Sequence, residues 1–289
     1  MAGMDDDGTS GGAGRAGLDE LADLAERVAT QAAELLRDGL TRSQVEIETK
    51  SSGTDMVSEM DRAAERLIVD ELLAARPDDG ILGEEGSART GTSGLRWVID
   101  PLDGTTNYLY RHPGFSVSIA VEPVGTVGGP PRSEAEAGRA AVAGAVVDVV
   151  TGDRFRAVRG GGATRNGQPI SASTETDLTR ALVATGFSYK AARRKDQALV
   201  LTHVIGEIRD IRRMGSAALD LCSVACGRVD AYYEAGLAAW DLAAGTLIAA
   251  EAGATVTYLA SSASSATTVV AAPPALSGPL QALLLEARV

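Results

Sequence analysis

Apolar residues recur at helical spacing in the first part of the chain. Between Leu18 and Leu36 they fall at every third or fourth position, and Asp and Glu lie toward the start, so this segment is predicted to be an amphipathic helix. A short strand is predicted at Val45–Lys50 and a loop at 51–55. A second helix is then predicted over about Ser58–Leu73.

Strand patterns dominate the middle of the chain. Val98 and Ile99 favour a buried strand, and Phe115–Glu122 alternates strictly between apolar and polar side chains. These two strands are expected to lie side by side. Further strands are predicted at Ala140–Val150 and Arg154–Val158.

Three consecutive glycines follow at Gly160–Gly162, with the turn signal Asn166-Gly167 close behind. A glycine-rich loop can cradle a phosphate, but that motif is completed by Lys and then Ser or Thr at the start of a helix. Neither follows Gly162, so a hairpin at the edge of a sheet is favoured.

Strands and helices alternate in the second half of the chain, which is typical of sheets covered by helices. The predicted elements lie at 181–185, 191–205, 208–212, 216–226, 231–233, 240–252, 254–258, 269–272 and 276–287. Two segments are predicted to be loops, a surface insertion without chemistry at 123–138 and a Ser/Ala-rich stretch at 261–267. The alternation on its own indicates an α/β fold.

The strongest candidate for chemistry lies where the first strand of the middle region ends. Asp100 and Asp103 follow that strand, three residues apart. Pro101 is predicted to end its hydrogen-bond ladder, and Gly104 permits a tight turn. Two carboxylates in such a turn can converge on a hard cation, and Leu102 can add its backbone carbonyl, so the set suits magnesium. Taken alone, the two acids could instead simply cap the turn.

Acidic residues elsewhere in the chain complete a recognisable set. Gly83–Glu85 follows a short apolar pair, and Trp240–Gly245 opens an Ala-rich helical stretch with Trp240-Asp241. Together with Trp97–Asn107, these segments resemble the inositol monophosphatase family in sequence, order and separation. The resemblance covers about residues 18–289.

The resemblance implies an α/β (α+β) protein built as a layered αβαβα sandwich, of the inositol monophosphatase and fructose-1,6-bisphosphatase type. It implies one catalytic domain over 18–289, with sub-regions at about 18–180 and 181–289 and the metal site between the two sheet regions. Residues 1–17 are rich in Asp and Gly, without a basic region or an apolar core, so they are expected to be a disordered tail and not a signal peptide or anchor.

Magnesium is the cofactor that the resemblance implies, with two or three ions per site. The implied ligands are Glu84, Asp100, the Leu102 carbonyl and Asp103 for one ion, and Asp100, Asp103 and Asp241 for another.

The resemblance assigns the attacking water to Asp61 and Thr105, with Glu84 as the third catalytic residue. Asp55–Asp61 matches a family segment whose last acid helps hold that water. Alone, Asp61 would be an ordinary acid in the first turn of the second helix. Thr105 paired with Asp61 would orient and deprotonate a metal-bound water for in-line attack on phosphorus, and no covalent intermediate is expected.

Substrate contacts are implied at further positions. Ser216 lies at the start of a predicted helix, and a helix N-terminus with small residues suits a phosphate or hydroxyl group. Glu234 matches a family acid that contacts the substrate, although alone it would be a solvated acid at the end of a strand. The implied substrate-binding set is Gly104, Thr106, Gly215, Ser216, Ala217, Glu234 and Asp241.

Together with the resemblance, these residues predict an enzyme, a Mg²⁺-dependent phosphomonoesterase, and the resemblance implies that it acts on myo-inositol 1-phosphate. One alternative is a related phosphatase for histidinol phosphate, fructose 1,6-bisphosphate or a 3′-phosphoadenosine nucleotide. Another is a phosphate-binding regulator that keeps the fold without turnover. The resemblance also implies inhibition by lithium and a homodimer.

Composition and charge restrict the remaining classes. The chain of 289 residues is 45% hydrophobic, so it can bury a large core. Its net charge of −12 argues against nucleic acid and anionic membranes as partners. Two cysteines are too few for a disulfide scaffold or a four-ligand zinc site and favour a reducing, cytoplasmic setting. No apolar run is long enough to span a membrane.

Two other phosphatase chemistries are less consistent with the sequence. Cys222 and Arg228 have the Cys-x5-Arg spacing of cysteine phosphatases, but the apolar residues around Cys222 favour a buried helix that stops at Gly227. Haloacid-dehalogenase phosphatases use two Asp residues with one residue between them, whereas Asp100 and Asp103 have two. The two histidines are not spaced like the ligands of a metal site.

Overall fold

Two β-sheets and seven α-helices make up the part of the chain that the computed structural model describes, residues 10–46, 53–124, 140–260 and 267–287. The helices are α1 (Ser10–Glu46), α2 (Gly53–Ala75), α3 (Thr105–Tyr110), α4 (Ala191–Val204), α5 (Ala217–Ala225), α6 (Ala239–Glu251) and α7 (Pro274–Glu286). The strands of the first sheet are β1 (Gly80–Gly83), β2 (Ala88–Arg89), β3 (Leu95–Asp103), β4 (Ser116–Pro123), β5 (Ala143–Asp148), β6 (Arg154–Val158), β7 (Gly162–Arg165) and β8 (Gln168–Pro169). Those of the second are β9 (Leu182–Thr185), β10 (Asp210–Arg212), β11 (Ala231–Ala235), β12 (Thr255–Ala260) and β13 (Thr267–Ala272).

The first sheet has eight strands in the order β2-β1-β3-β4-β5-β6-β7-β8, and the second has five in the order β10-β9-β11-β13-β12. As predicted, β3 and β4 are neighbours. They run antiparallel, with Trp97 opposite Val121 and Ile99 opposite Ile119. In the second sheet, β9 pairs in parallel with both β10 and β11, whereas β12 and β13 are antiparallel.

The layers follow from which face of each strand is apolar. One face of the first sheet, including Trp97 and Ile119, packs on α1 and α2. Its other face, including Val98, packs on α5 and α6. These two helices are in turn covered by the second sheet through Tyr232, and the far face of that sheet packs on α4 and α7 through residues such as Val270. The result is the predicted αβαβα sandwich, with α5 and α6 buried between the sheets.

The N-terminal elements differ from the prediction. Helix α1 begins at Ser10, inside the segment expected to be a tail, and continues to Glu46. The predicted strand at Val45–Lys50 is therefore wrong at Val45 and Glu46, and its other residues lie outside the described part of the chain. Helix α2 begins at Gly53, so Asp61 is in its third turn and not in its first.

Strand β3 does not end at Pro101. Asp100 pairs with Ser118 and Asp103 pairs with Ser116, so three steps on β3 match two on β4 and the register shifts between the acids. Such a bulge lets a strand continue past proline, which has no N–H to give to the ladder. It also changes the direction of the strand at the two acids.

The three glycines form the predicted hairpin between β6 and β7, near one edge of the first sheet. The phosphate-loop alternative is wrong, because the amides of Gly160 and Gly162 donate to the carboxylate of Glu251 on α6, at 2.8 and 2.9 Å. A side chain of the protein thus satisfies the donors that a phosphate would need. Of the predicted loops, residues 125–138 of the insertion and residues 261–266 of the Ser/Ala-rich stretch lie outside the described part of the chain. No described helix is long and apolar enough to cross a membrane.

Asp153 joins this hairpin to the end of α5. Its carboxylate accepts hydrogen bonds from Arg165 at 2.7 Å, Arg228 at 2.9 Å and Asn166 at 2.9 Å. The side chains of Arg165, Asn166 and Arg228 hold the pKa of Asp153 down at about 2, although burial acts in the opposite direction. Because the folded-state pKa lies below the usual value of 3.8, the contribution to stability is present above about pH 4 and is lost as the pH falls toward 2.

We expect Asp153→Asn to lower the free energy of unfolding by about 2 kcal/mol at pH 7, because the charge-assisted hydrogen bonds are weakened. Urea unfolding followed by circular dichroism measures the loss. The difference from wild type should shrink as the pH is lowered from 5 toward 3. Asp196→Asn, an exposed acid on α4, is the control and should change stability by less than about 0.5 kcal/mol. A constant difference between Asp153→Asn and wild type at all pH values would contradict the assignment.

Candidate active site

Three carboxylates meet where β3 ends and α6 begins. Asp100 and Asp103 lie on either side of the β3 bulge, and Asp241 is in the first turn of α6. One carboxylate oxygen from each lies within 4.8 Å of the others. Asp100 is 1% exposed and Asp103 8% exposed, so these two acids are largely removed from water.

Each of the three acids is held by a hydrogen bond from the protein. The amide of Leu102 donates to Asp100 at 3.0 Å, and the amide of Ala238 donates to Asp241 at 2.7 Å. Asp103 accepts from the hydroxyl of Ser216 at 2.6 Å. The carboxylates are therefore fixed in place while further oxygen lone pairs remain for a ligand.

The charges of these acids oppose one another. Burial raises the pKa of Asp100 well above its usual value, and the negative charges of Glu84 and Asp103 add to the effect. Burial also raises the pKa of Asp241 well above its usual value, and the negative charge of Asp103 raises it further. No described Lys or Arg forms an ion pair with any of the three acids. An all-oxygen donor set with uncompensated negative charge fits a hard divalent cation such as Mg²⁺.

Glu84 lies at the edge of the cluster. It follows β1, which pairs in parallel with β3, so the carboxyl ends of both strands reach the same edge of the sheet. Its side chain shares a hydrogen bond with Asp100. The sequence-predicted ligands Glu84, Asp100, Asp103 and Asp241 are thus neighbours in space.

The start of α5 faces Asp103. Ser216 is the N-cap of α5 and accepts from the amide of Leu219 at 3.2 Å. The amides of Ala217 and Ala218 donate to the two oxygens of Asp103 at 3.3 and 2.8 Å. The predicted helix N-terminus therefore lies against the acid cluster, where its amides favour negative charge.

The turn after β3 carries Thr105 and Thr106 at the start of α3, a short helix that the sequence did not predict. Gly104 precedes it with φ of 94°, and a Cβ there would lie 2.8 Å from the carbonyl oxygen of Gly114, so only glycine fits. The hydroxyl of Thr105 donates to the Leu102 carbonyl at 3.1 Å. Thr106 is exposed and lies 3.5 Å from the hydroxyl of Tyr189.

Asp61 reaches the site from α2. It is 3% exposed, and burial raises its pKa to about 8, with further contributions from Glu85 and Glu84. Its Oδ1 atom has no hydrogen-bond partner in the described part of the chain. The hydroxyl of Thr105 donates to the carbonyl of Leu102, so the pairing of Thr105 with Asp61 stays a prediction.

Glu65 is a residue that the sequence reading did not select. It lies one helical turn after Asp61 and is 3% exposed. Its two oxygens accept from the amides of Glu85 at 2.8 Å and Ser87 at 2.9 Å, so it holds the turn that carries Glu84. The i, i+4 spacing of Asp61 and Glu65 indicates that both side chains lie on the same face of α2.

Glu234, at the end of β11, accepts a hydrogen bond from the buried hydroxyl of Tyr232 at 2.8 Å. Burial raises the pKa of Glu234 to about 7, although the Tyr232 bond lowers it. A side chain at Gly186 would collide with the Glu234 carboxylate. Tyr232 was not selected from the sequence, although it stands two residues before Glu234 on the same face of the strand.

The cysteine-phosphatase alternative is wrong. Cys222 is completely buried within α5, and burial raises the pKa of its thiol well above the usual value. A reactive cysteine needs access and a lowered pKa, and Cys222 has neither.

A model of the family described as "Inositol monophosphatase family" matches residues 17–289. The chain belongs to this family. It is 42% identical over 283 residues to "Inositol-1-monophosphatase SuhB" of Mycobacterium tuberculosis, covering 91% of this chain and 93% of that protein. It is 40% identical over 238 residues to "Nus factor SuhB" of Pasteurella multocida, covering 82% and 84%. The solved structure "Mycobacterium tuberculosis SuhB" superposes with a TM-score of 0.77 at 40% identity, over 93% and 97%.

Membership in the inositol monophosphatase family makes the protein a phosphatase of a metal-dependent family, and the acid cluster is the place in the described residues where a metal could bind. The predicted family and fold are both confirmed. The individual roles of the site residues remain predictions.

We expect Glu65→Gln to weaken Mg²⁺ binding about tenfold or more, because an amide cannot accept from both backbone N–H groups and the turn of Glu84 would shift. Isothermal titration calorimetry with MgCl₂ measures the affinity directly. Glu71→Gln, in the same helix but paired at the surface with Arg27, is the matched control and should bind Mg²⁺ like wild type. Equal affinities in both variants would show that Glu65 does not support the metal site.

Proposed function

We propose that the protein is a magnesium-dependent phosphatase that hydrolyses myo-inositol 1-phosphate. The observation that carries the proposal is the convergence of Asp100, Asp103 and Asp241 against the N-terminus of α5. Relatives named inositol-1-monophosphatase support the substrate, since one of them is 42% identical along almost the whole chain. The buried acids account for the metal, because their charges repel one another without a cation.

Glu84, Asp100, Asp103, Asp241 and the Leu102 carbonyl would hold the ions, two or three in number. Bound there, Mg²⁺ supplies the positive charge that lets an anionic ester approach the acids and the Lewis acidity that polarises its phosphate. Gly104, Thr106 and the Gly215–Ala217 step would lie beside the phosphate oxygens. The amides at the start of α5 already donate to Asp103 and Ser216, so the helix would favour the phosphate through its dipole.

The chain's own residues would handle the proton and the leaving group. Asp61, which is buried, would take a proton from water, and Thr105 would fix the orientation of that water. Glu234, aimed by Tyr232, would accept hydrogen bonds from ring hydroxyls of the polyol. No protein nucleophile takes part, so no phosphoenzyme is expected.

A second candidate function is regulatory. Proteins named Nus factor SuhB, including the Pasteurella multocida relative at 40% identity, support a role in which the fold is kept and turnover is secondary. The full set of site acids favours catalysis. Absence of any phosphatase activity in a pure, Mg²⁺-binding wild-type protein would favour the regulatory role instead.

We expect Asp241→Asn to lower kcat/KM by at least about two orders of magnitude, because it removes the charge of a metal ligand while keeping its shape. Phosphate release from inositol 1-phosphate, titrated with Mg²⁺, measures the effect, and chelation with EDTA should abolish wild-type activity. Asp210→Asn, an exposed acid on β10, serves as the control. Full activity of Asp241→Asn at low Mg²⁺ would rule out its role as a ligand.

We expect Glu234→Gln to reduce kcat/KM for inositol 1-phosphate roughly tenfold or more and to leave p-nitrophenyl phosphate nearly unchanged, because only the polyol offers hydroxyls to the carboxylate. Steady-state kinetics with both substrates measures the ratio. Tyr232→Phe should shift the ratio in the same direction by less. Equal losses for both substrates would place Glu234 in the scaffold.

The substrate itself is tested on wild type with a panel that adds histidinol phosphate, fructose 1,6-bisphosphate and a 3′-phosphoadenosine nucleotide. A preference for one of these by more than tenfold would replace inositol 1-phosphate and leave the metal site unaffected. Inhibition by lithium, a homodimer and a cytoplasmic location remain predictions for the same protein.

A further inference from the structure

The candidate active site is assembled from two parts of the chain that are far apart in sequence. The first part comprises β3 and α3, with Asp103 and Thr105. The second is the N-terminus of α5, with Ser216. Contact between them runs largely through Asp103, whose two oxygens accept from Ser216, Ala217 and Ala218. The same carboxylate would also bind a cation, so a tie that uses no metal-binding atom would hold the two parts independently of the cation.

Asn107 on α3 provides such a tie. It is 8% exposed, and its side-chain amide donates to the carbonyl of Gly114 at 2.7 Å and to the carbonyl of Met214 at 2.7 Å. A longer contact reaches the carbonyl of Pro113 at 3.4 Å. Because all three neighbours are acceptors, the NH₂ group and not the oxygen must face them, which fixes the orientation of the amide.

The backbone around Asn107 is shaped to bring these carbonyls close. Gly114 and Gly215 have φ of 99° and 98°, a region that favours glycine. A Cβ on Gly215 would lie 2.9 Å from the Asn107 amide nitrogen, and a Cβ on Gly114 would lie 3.3 Å from it. The same carbonyl of Gly114 would be 2.8 Å from a Cβ on Gly104, so the start of α3 and the Asn107 contacts share one close-packed unit.

The hydrogen bonds of Asn107 join residues that are far apart in sequence. Met214 lies 107 residues after Asn107 and directly precedes the Gly215-Ser216 step that begins α5. Asn107 itself is two residues after Thr105, in the same helix. The amide therefore joins the residues expected to face the attacking water to the residues expected to surround the phosphate.

We propose that Asn107 is a positioning residue that sets the distance between the Thr105–Thr106 turn and the N-terminus of α5, and so the space for a phosphate group. The inference rests on the proposed phosphatase function. Asn107 touches no reacting atom in it and acts through Thr105 and Ser216. A shift of about 1 Å between groups that must act on one phosphorus is enough to reduce rate by about two orders of magnitude.

Three measurements on Asn107→Ala test the proposal. Kinetics with p-nitrophenyl phosphate should show kcat/KM reduced about 30- to 100-fold, and inorganic phosphate should inhibit at least about tenfold more weakly. Calorimetry should show Mg²⁺ binding within about threefold of wild type, because none of the proposed metal ligands bonds to Asn107.

Asn166→Ala is the matched control. Asn166 is also an asparagine with two side-chain hydrogen bonds, involving the amide of Arg154 and the carboxylate of Asp153 at 2.9 Å each, but it lies in the turn between β7 and β8. A similar fall in Tm is expected for both variants, and only Asn107→Ala should lose kcat/KM and phosphate affinity. Asn107→Ser, which can donate only one hydrogen bond, should change kcat/KM and phosphate affinity in the same direction and replaces Asn107→Ala if that variant does not fold.

The outcomes separate the proposal from its alternatives. If the Asn107 variants lose Tm but keep wild-type kcat/KM and phosphate inhibition, Asn107 is only structural and the inference is wrong. If Mg²⁺ binding falls as far as phosphate binding, Asn107 supports the whole site and the inference is also wrong. If wild type hydrolyses no phosphate ester, the proposed function fails. The role of Asn107 is then decided by calorimetric titration of wild type and Asn107→Ala with inorganic phosphate in the presence of Mg²⁺. If wild type binds no phosphate in that titration, the inference about Asn107 is wrong as well.

Discussion

Repulsion among buried carboxylates is the constraint on which the rest of the structure depends. One carboxylate oxygen from each of Asp100, Asp103 and Asp241 lies within 4.8 Å of the others, yet no described Lys or Arg side chain forms an ion pair with these acids. In water these charges would separate. The fold keeps them together with fixed donors, namely two backbone amides and a serine hydroxyl, supported by the start of a helix. Such donors stabilise negative charge without cancelling it, so the affinity for a cation is retained.

The layered architecture holds these acids together against their mutual repulsion. Helices α5 and α6 are covered by a sheet on each side. Their N-termini therefore cannot move away from β3 without disrupting the apolar core that the two helices share with both sheets. Asp241 is carried by α6 and Ser216 by α5, while the β3 bulge presents Asp100 and Asp103 to both helices. The apolar packing between the sheets therefore opposes the electrostatic repulsion at the site.

The sequence was sufficient where local pattern and order along the chain decide the outcome. The two acids at the end of β3 predicted a metal site, and the resemblance to the inositol monophosphatase family added Glu84 and Asp241. Alternation in Phe115–Glu122 predicted the neighbour of β3. It was insufficient where distant contacts decide. Helix α3 depends on the φ of Gly104 and on bonds from Asn107 to a carbonyl 107 residues away, which no local window contains. Similarly, β3 continues past Pro101 only because β4 accommodates a bulge.

Helix α2 has a consequence for how such a site can change over evolution. Asp61 and Glu65 stand one turn apart, so a single rigid helix places a buried acid at the site and also holds the turn that carries Glu84. Inserting or deleting one residue between them would rotate one by about 100° relative to the other. The number of residues in this turn of α2 therefore cannot change without moving Asp61 or Glu65 out of place. A lineage that lost the function of Asp61 through such a change would lose the support of Glu84 in the same step, without an intermediate that kept one of the two.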